Sequence, residues 1–100
     1  SSLKRDALLP DMPTIAESGV PGYDSVLWFG LLTSAKTPRP VVTTLNREAV
    51  RALGEPELRK RWAPIGLDPS PTAPEAFDRL IAAEIVLFTK LAKAGNIKAQ

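Results

Sequence analysis

The sequence contains no cysteine and no histidine among its 100 residues. Without cysteine there are no disulfides, thiol nucleophiles or thiolate metal sites. Without histidine there are no serine–histidine or cysteine–histidine nucleophile pairs and no histidine-ligated zinc. A general acid and base would then need two carboxylates that converge in a pocket. Only Glu17 and Asp24 lie near the aromatic segment described below. We therefore predict a protein that is not an enzyme and that uses no cofactor, with a hydrolase or lyase using Glu17 or Asp24 as the enzymatic alternative.

Neither sign of charge is in large excess, and long apolar runs are absent. The 13 Lys and Arg residues face 11 Asp and Glu residues, which gives a formal net charge of +2. The densest basic group, Arg59-Lys60-Arg61, is interpreted as a solvated helix face, because a nucleic-acid interface needs a broader basic stripe with exposed aromatic residues. No apolar run approaches the ~20 residues that span a bilayer. We predict no nucleic-acid partner and no membrane span.

The most apolar stretch is residues 24–33, which read D-S-V-L-W-F-G-L-L-T. It lacks polar alternation, and turn signals lie on both sides, so the pattern predicts a β-strand covered on both faces. Such a strand needs neighbours for its N–H and C=O groups, and no second strand of similar quality follows. The sequence thus predicts an α/β fold with one main strand, paired with another chain or with sequence outside these residues.

Helix signals fill most of the remaining chain. Thr14 and Glu17 form a capping-box pattern that predicts one helical turn ending at Gly19. We favour this local account over a turn that presents N–H groups to an anion. Three helices are expected: residues 38–53 with Thr37 as cap, a shorter helix from Glu55-Pro56 to Gly66, and a long helix from a second capping box, Thr72 with Glu75, to about Ala94. The long helix has a wide apolar stripe, so it should bury against more protein than these residues supply.

Three stretches carry a family resemblance. They are L-P-D-M-P-T-I-A-E-S-G-V-P-G-Y, the segment S-V-L-W-F-G-L-L, and T-P-R-P-V-V-T-T-L-N-R-E. In this order and spacing they resemble the C-terminal part of the Bug receptors, the substrate-binding proteins of tripartite tricarboxylate transporters. The likeness covers essentially all 100 residues, with a G-L-D-P loop and T-A-P-E-A-F before the long helix.

The resemblance implies a type II periplasmic binding protein fold about three times as long as this chain, with two lobes that close over a small carboxylate. Residues 1–23 would leave the second lobe. Residues 24–100 would supply a strand that crosses the hinge, followed by the helices that complete the first lobe. The resemblance also implies a periplasmic location and membrane transporter subunits as partners.

The candidate ligand residues follow from the same resemblance. Receptors of this type hold carboxylates with backbone N–H groups, hydroxyls and ordered waters. We select Thr14 with its adjacent backbone, Tyr23 as a hydroxyl donor, and Trp28 and Phe29 as walls of the cleft. The alternative for Trp28 and Phe29 is the core of the sheet.

Two functional hypotheses result. The leading one is a segment of a periplasmic receptor for a tricarboxylate, a dicarboxylate or an acidic amino acid, which feeds a tripartite tricarboxylate transporter. The alternative is a self-associating α/β structural fragment, a homodimer that pairs through its exposed strand and binds no ligand of its own.

Overall fold

The structure, a computed structural model, describes residues 1–98 of the chain. They belong to two compact units, Ser1–Thr33 and a second unit that begins at Ser34. The first unit consists of turns and extended segments, and the second contains every helix of the described residues. The helices are α1 (Arg39–Leu53), α2 (Pro56–Trp62), which continues into a 3-10 turn at Ala63–Ile65, and α3 (Pro74–Ala94).

Proline determines how each helix begins. Every helix has a proline at its first or second position, and the N-caps are Pro38, Glu55 and Ala73, none with a capping hydrogen bond from its side chain. The predicted caps at Thr37 and Thr72 are therefore wrong. Proline holds φ near the helical value, and the N–H that it lacks is one that has no partner within the helix in the first turn, so proline starts these helices although their N-cap residues supply no side-chain acceptor.

The helix ends agree with the predictions. α1 ends at Leu53, and α3 ends at Ala94 with Asn96 in the left-handed region at φ 52°. Beyond α3, the Ile97 N–H donates to the Ala92 carbonyl at 2.8 Å, and the Asn96 N–H donates to the Lys93 carbonyl at 3.2 Å. These two bonds form a Schellman motif, which satisfies carbonyls of the last turn.

Two polar links join α1 to the start of α3. The Asn46 side-chain amide donates to the Thr72 carbonyl oxygen at 2.8 Å, and Arg39 forms an ion pair with Glu75. Glu75 thus pairs with the Arg39 guanidinium instead of forming the predicted capping box with Thr72. Asn46 lies on the half-buried face of α1, together with Val42, Ala49 and Leu53 at helical spacing.

The predicted α/β fold with one main strand is wrong, since residues 1–98 contain helices but no strand. Ser1 and Ser25 do exchange two hydrogen bonds, at 3.0 and 2.8 Å, in the manner of an antiparallel pair. No ladder continues from that pair along residues 26–32 in the described chain. An extended segment becomes a strand only when a neighbouring backbone continues the ladder, and these residues provide no such neighbour.

The expected burial of this segment is also contradicted. Leu27 is 84% exposed and Phe29 is 78% exposed, and only Trp28 is half-buried. Among the described residues no apolar side chain is fully buried. The wide apolar stripe of α3 is likewise exposed over most of its length, at Ile85, Phe88 and Leu91. Large apolar surfaces of both units are therefore open to a partner surface.

Candidate functional site

The four predicted ligand residues all lie in the unit Ser1–Thr33. Thr14 begins a hydrogen-bonded turn, and Tyr23 closes the next turn by donating its N–H to the Val20 carbonyl at 3.2 Å. The Tyr23 side chain is 40% exposed. Trp28 and Phe29 lie in the extended segment that follows. The unit thus offers one hydroxyl-bearing ring and an aromatic edge at its surface.

Thr14 is held by the predicted capping box, which the structure confirms. The Glu17 N–H donates to the Thr14 hydroxyl oxygen at 3.1 Å, and the Thr14 N–H donates to Glu17 Oε2 at 2.8 Å. The Ser18 hydroxyl donates to the Thr14 carbonyl oxygen at 2.8 Å. Thr14 is only 5% exposed, and it is the one buried residue among those that the structure describes. Its polar groups organise the turn, which ends at Gly19 with φ at 112°.

Arg5, twelve residues before Glu17, binds the Glu17 carboxylate. Its Nε lies 2.9 Å from Glu17 Oε2 and 3.1 Å from Oε1, and its Nη2 donates to Oε1 at 3.0 Å. Its Nη1 donates to the Pro10 carbonyl oxygen at 3.2 Å. All three guanidinium nitrogens are engaged, which is the planar, two-pronged geometry that arginine provides and lysine does not.

The electrostatics of the pair follow from these bonds. The pKa of the Glu17 carboxyl is lowered to about 2, first by the hydrogen bonds from the Arg5 side chain and second by the Thr14 N–H. The same hydrogen bonds and charge raise the pKa of Arg5. Each side chain is nearly half exposed, so salt in the solvent weakens the Coulomb part of this attraction. Glu17 therefore stays ionised and bonded at neutral pH.

A shallow cavity of about 200 Å³ adjoins the network. Its lining includes Thr14 and Arg5 together with Lys4, Asp6 and Met12. It combines cationic and apolar groups with one carboxylate, yet it is smaller than the ~300 Å³ at which ligand clefts begin. Residues 1–98 contain no cluster of three or more acidic side chains that would hold a metal ion.

Arg5 is the residue that the sequence pattern did not identify. It lies in the polar run Lys4-Arg5-Asp6, which looks like any solvated segment, and its partner is too distant for a helical or strand periodicity. The capping box explained Glu17 completely, so nothing in the sequence required a cation beside it. Lys4 and Asp6 at the cavity were missed for the same reason.

The family comparison identifies what kind of protein contains this unit. Residues 1–97 match the model of the TctC family, described as tripartite tricarboxylate transporter family receptor. The chain belongs to this family, as the resemblance predicted. The family is one of receptors, and membership confirms the prediction that the chain is not an enzyme.

Curated relatives of the same kind give the extent of the match. A UPF0065 protein from the tcbD–tcbE intergenic region of Pseudomonas sp. (strain P51) is 36% identical over 92 residues, which cover 91% of this chain and 27% of that protein. A UPF0065 protein from the TAR-I ttuE–ttuC′ intergenic region of Agrobacterium vitis is 30% identical over 93 residues, covering 89% of this chain and 27% of that protein.

A UPF0065 protein of Bordetella bronchiseptica is 30% identical over 98 residues, which cover 98% of this chain and 29% of that protein. The chain therefore spans less than a third of the length of these relatives. No solved structure matches the sequence. Within residues 1–98, no helix has both the length and the apolar content that a membrane crossing requires.

Proposed function

We propose that this chain is the segment of a periplasmic receptor that contributes one side of a binding site for a small carboxylate. The receptor delivers its ligand to the membrane subunits of a tripartite tricarboxylate transporter. The observation that carries the proposal is the match of residues 1–97 to the receptor family. The ligand class is a tricarboxylate, a dicarboxylate or an acidic amino acid.

The geometry of the first unit supports this role. Tyr23 exposes a hydroxyl-bearing ring, and Phe29 exposes an apolar one, the combination with which binding clefts orient and enclose small ligands. Thr14 contributes through the turn that it caps. Its hydroxyl already accepts a hydrogen bond from the Glu17 N–H, so it shapes the site rather than forming its wall. Trp28 extends the aromatic edge beside Phe29.

The length of the relatives supports a two-part receptor. The chain covers 27% of two of them, so most of the receptor lies outside the matched residues. In this proposal, residues 1–23 belong to one lobe and residues 24–100 to the other, and ligand is held where the lobes close. The exposed apolar surface of α3 then contacts the remaining receptor.

Binding to the purified full-length receptor tests the proposal. Calorimetric titrations use citrate, succinate and glutamate as probes, with Tyr23→Phe and Phe29→Ala as site variants and Leu31→Ala as the matched control. Leu31 is an exposed apolar residue of the same segment outside the candidate set. We expect at least one probe to bind, with weaker affinity in both site variants and wild-type affinity in Leu31→Ala. Absence of binding by every probe, or equal affinity in all variants, contradicts the proposal.

A second candidate function is self-association without a ligand. The exposed apolar stripe on α3 favours it, because patches of this kind mark protein contacts. Sedimentation of the full-length receptor over a concentration series distinguishes the two. A ligand-free dimer that binds none of the probes favours association, whereas a monomer that binds a probe favours the receptor.

A further inference from the structure

We propose that Arg5 is a positioning residue of the receptor: it holds the capped turn at residues 14–19 in place and thereby sets the affinity for ligand. The inference rests on the proposed function for its last step only. It concerns a residue that neither the family match nor the relatives assign to any role.

The first argument is the number and direction of the bonds that Arg5 makes. Its Nε and Nη2 grip both oxygens of Glu17, while its Nη1 reaches the Pro10 carbonyl at 3.2 Å. The Arg5 side chain thus forms hydrogen bonds both with the turn at residues 14–19 and with the segment that precedes it. Bidentate hydrogen bonding to both oxygens restrains rotation of the Glu17 carboxylate. It therefore orients the oxygen that accepts the hydrogen bond from the Thr14 N–H.

The second argument is how the intervening loop is built. Between Arg5 and Glu17 the chain folds as consecutive turns: the Leu8 N–H donates to Asp6 Oδ1 at 2.8 Å, and the Met12 N–H donates to the Leu9 carbonyl at 3.0 Å. Loops of this length, with ends close together, hold their shape by local bonds. The Arg5–Glu17 pair joins the two ends, and the cost of closing the loop grows only slowly with its length.

The third argument is that apolar packing does not hold this turn in position. Thr14 is the one buried residue in the described part of the chain, and it is polar. The flanking apolar side chains Leu9, Met12 and Ile15 are all exposed. In this unit the turn is therefore positioned by its polar network, and Arg5 is the member that links the network to the preceding loop.

Arg5 variants of the full-length receptor test the inference. Arg5→Gln removes the cation, and Arg5→Lys keeps the charge without the bidentate hydrogen bonding. Lys36→Gln is the control with the same charge change at an exposed lysine of the second unit. Carbon NMR follows the titration of the Glu17 carboxyl, amide hydrogen exchange follows Thr14, and calorimetry with citrate, succinate and glutamate measures affinity.

In Arg5→Gln we expect the Glu17 midpoint to rise towards its ordinary value of 4.5, the Thr14 amide to exchange faster, and affinity to fall by about two- to fivefold, the range of an exposed ion pair. Arg5→Lys should recover part of each effect, and Lys36→Gln should match the wild type. Ligand affinity is the readout that a merely structural role of Arg5 would leave unchanged.

The outcomes separate this inference from the proposed function. If Arg5→Gln leaves the Glu17 titration and Thr14 exchange unchanged, Arg5 does not hold the turn and the inference is overturned. Changes in titration and exchange with wild-type affinity also overturn it, because Arg5 is then structural only. If the wild-type receptor binds none of the three probes, the proposed function fails, and the positioning of the turn is still decided by the titration and exchange data.

Discussion

The side-chain amide of Asn46, on α1, donates a hydrogen bond of 2.8 Å to the backbone carbonyl oxygen of Thr72, just before α3. The two residues are 26 positions apart in the sequence. With the Arg39–Glu75 ion pair, this bond fixes the beginning of α3 against α1. It satisfies a carbonyl in the turn where α3 has no side-chain cap.

We expect Asn46→Ala to destabilise the protein by about 1 kcal/mol, the usual net value of one such hydrogen bond. Asn46→Asp should cost at least as much, because a carboxylate has no N–H to donate and repels the carbonyl oxygen. Urea unfolding followed by circular dichroism measures both. Thr43→Ala, an exposed substitution on the same helix, is the control and should change stability less. Equal midpoints for Asn46→Ala and wild type would contradict the role of this bond.

Gly66 provides a second prediction. It follows the 3-10 turn with φ at 76°, and the space where a Cβ would lie is open. The cost of a side chain there is therefore conformational, about 1–2 kcal/mol for most residues and less for asparagine. We expect Gly66→Val to lower the unfolding midpoint more than Gly66→Asn. If the two variants unfold at the same denaturant concentration, the left-handed backbone at this position is not what limits substitution.

The lowered pKa of Glu17 predicts that the stability of the fold depends on pH in the acid range. Its pKa is about 2 in the folded chain and near 4.5 when the chain is unfolded, so folding favours the ionised form. The stabilisation is complete above pH 4.5 and is lost as the pH falls from 4.5 towards 2. Glu17→Gln should therefore lower stability at pH 7 and flatten the pH dependence in that window.

Urea unfolding at a series of pH values between 2 and 7 measures this effect. The control is Glu57→Gln, which removes an exposed carboxylate paired with Lys60 at 3.3 Å on α2. This variant should keep the wild-type loss of stability in acid. The account of Glu17 fails if both variants show the same pH profile.

The sequence predicted the helices because their signals are local. Periodicity and prolines lie within each segment, so the ends of α1 at Leu53 and of α3 at Ala94 were correctly placed. The caps were each misplaced by one residue, because a threonine shortly before a proline has the pattern of an N-cap, whereas the N-caps of α1 and α3 are Pro38 and Ala73. The Thr14–Glu17 capping box, where no proline follows, was predicted correctly.

The wrongly predicted strand and the missed Arg5 both depend on contacts between residues that are distant in the sequence, which local patterns do not reveal. Residues 26–32 have strand composition, but a strand requires a partner backbone. Ser25 exchanges a pair of backbone hydrogen bonds with Ser1, and no strand follows from that pair in residues 1–98. The Arg5–Glu17 pair joins residues twelve apart through an irregular loop, for which no periodicity exists. Tyr23, Trp28 and Phe29 were selected through the family resemblance, and their contact with ligand stays a prediction.

The apolar stripe of α3 gives the last prediction. Phe88 is 57% exposed, and Ile85 and Leu91 flank it one turn away on the same face. Burying such side chains is worth about 1.5–3 kcal/mol each, so a second apolar surface should cover them. We expect this chain, produced alone, to associate in a concentration-dependent way that Phe88→Asp reduces strongly. Light scattering over a concentration series measures the mass.

Ala83→Asp is the matched control, since it adds the same charge to the same helix. Residues share a helix face at three- and four-residue spacing, and Ala83 lies five positions before Phe88, on the far side. It should leave association unchanged. In the full-length receptor the same face should be covered by the remaining chain, so Phe88→Asp should there reduce stability rather than mass. Association that is equally weakened by both substitutions would mean that charge, and not this apolar face, controls it.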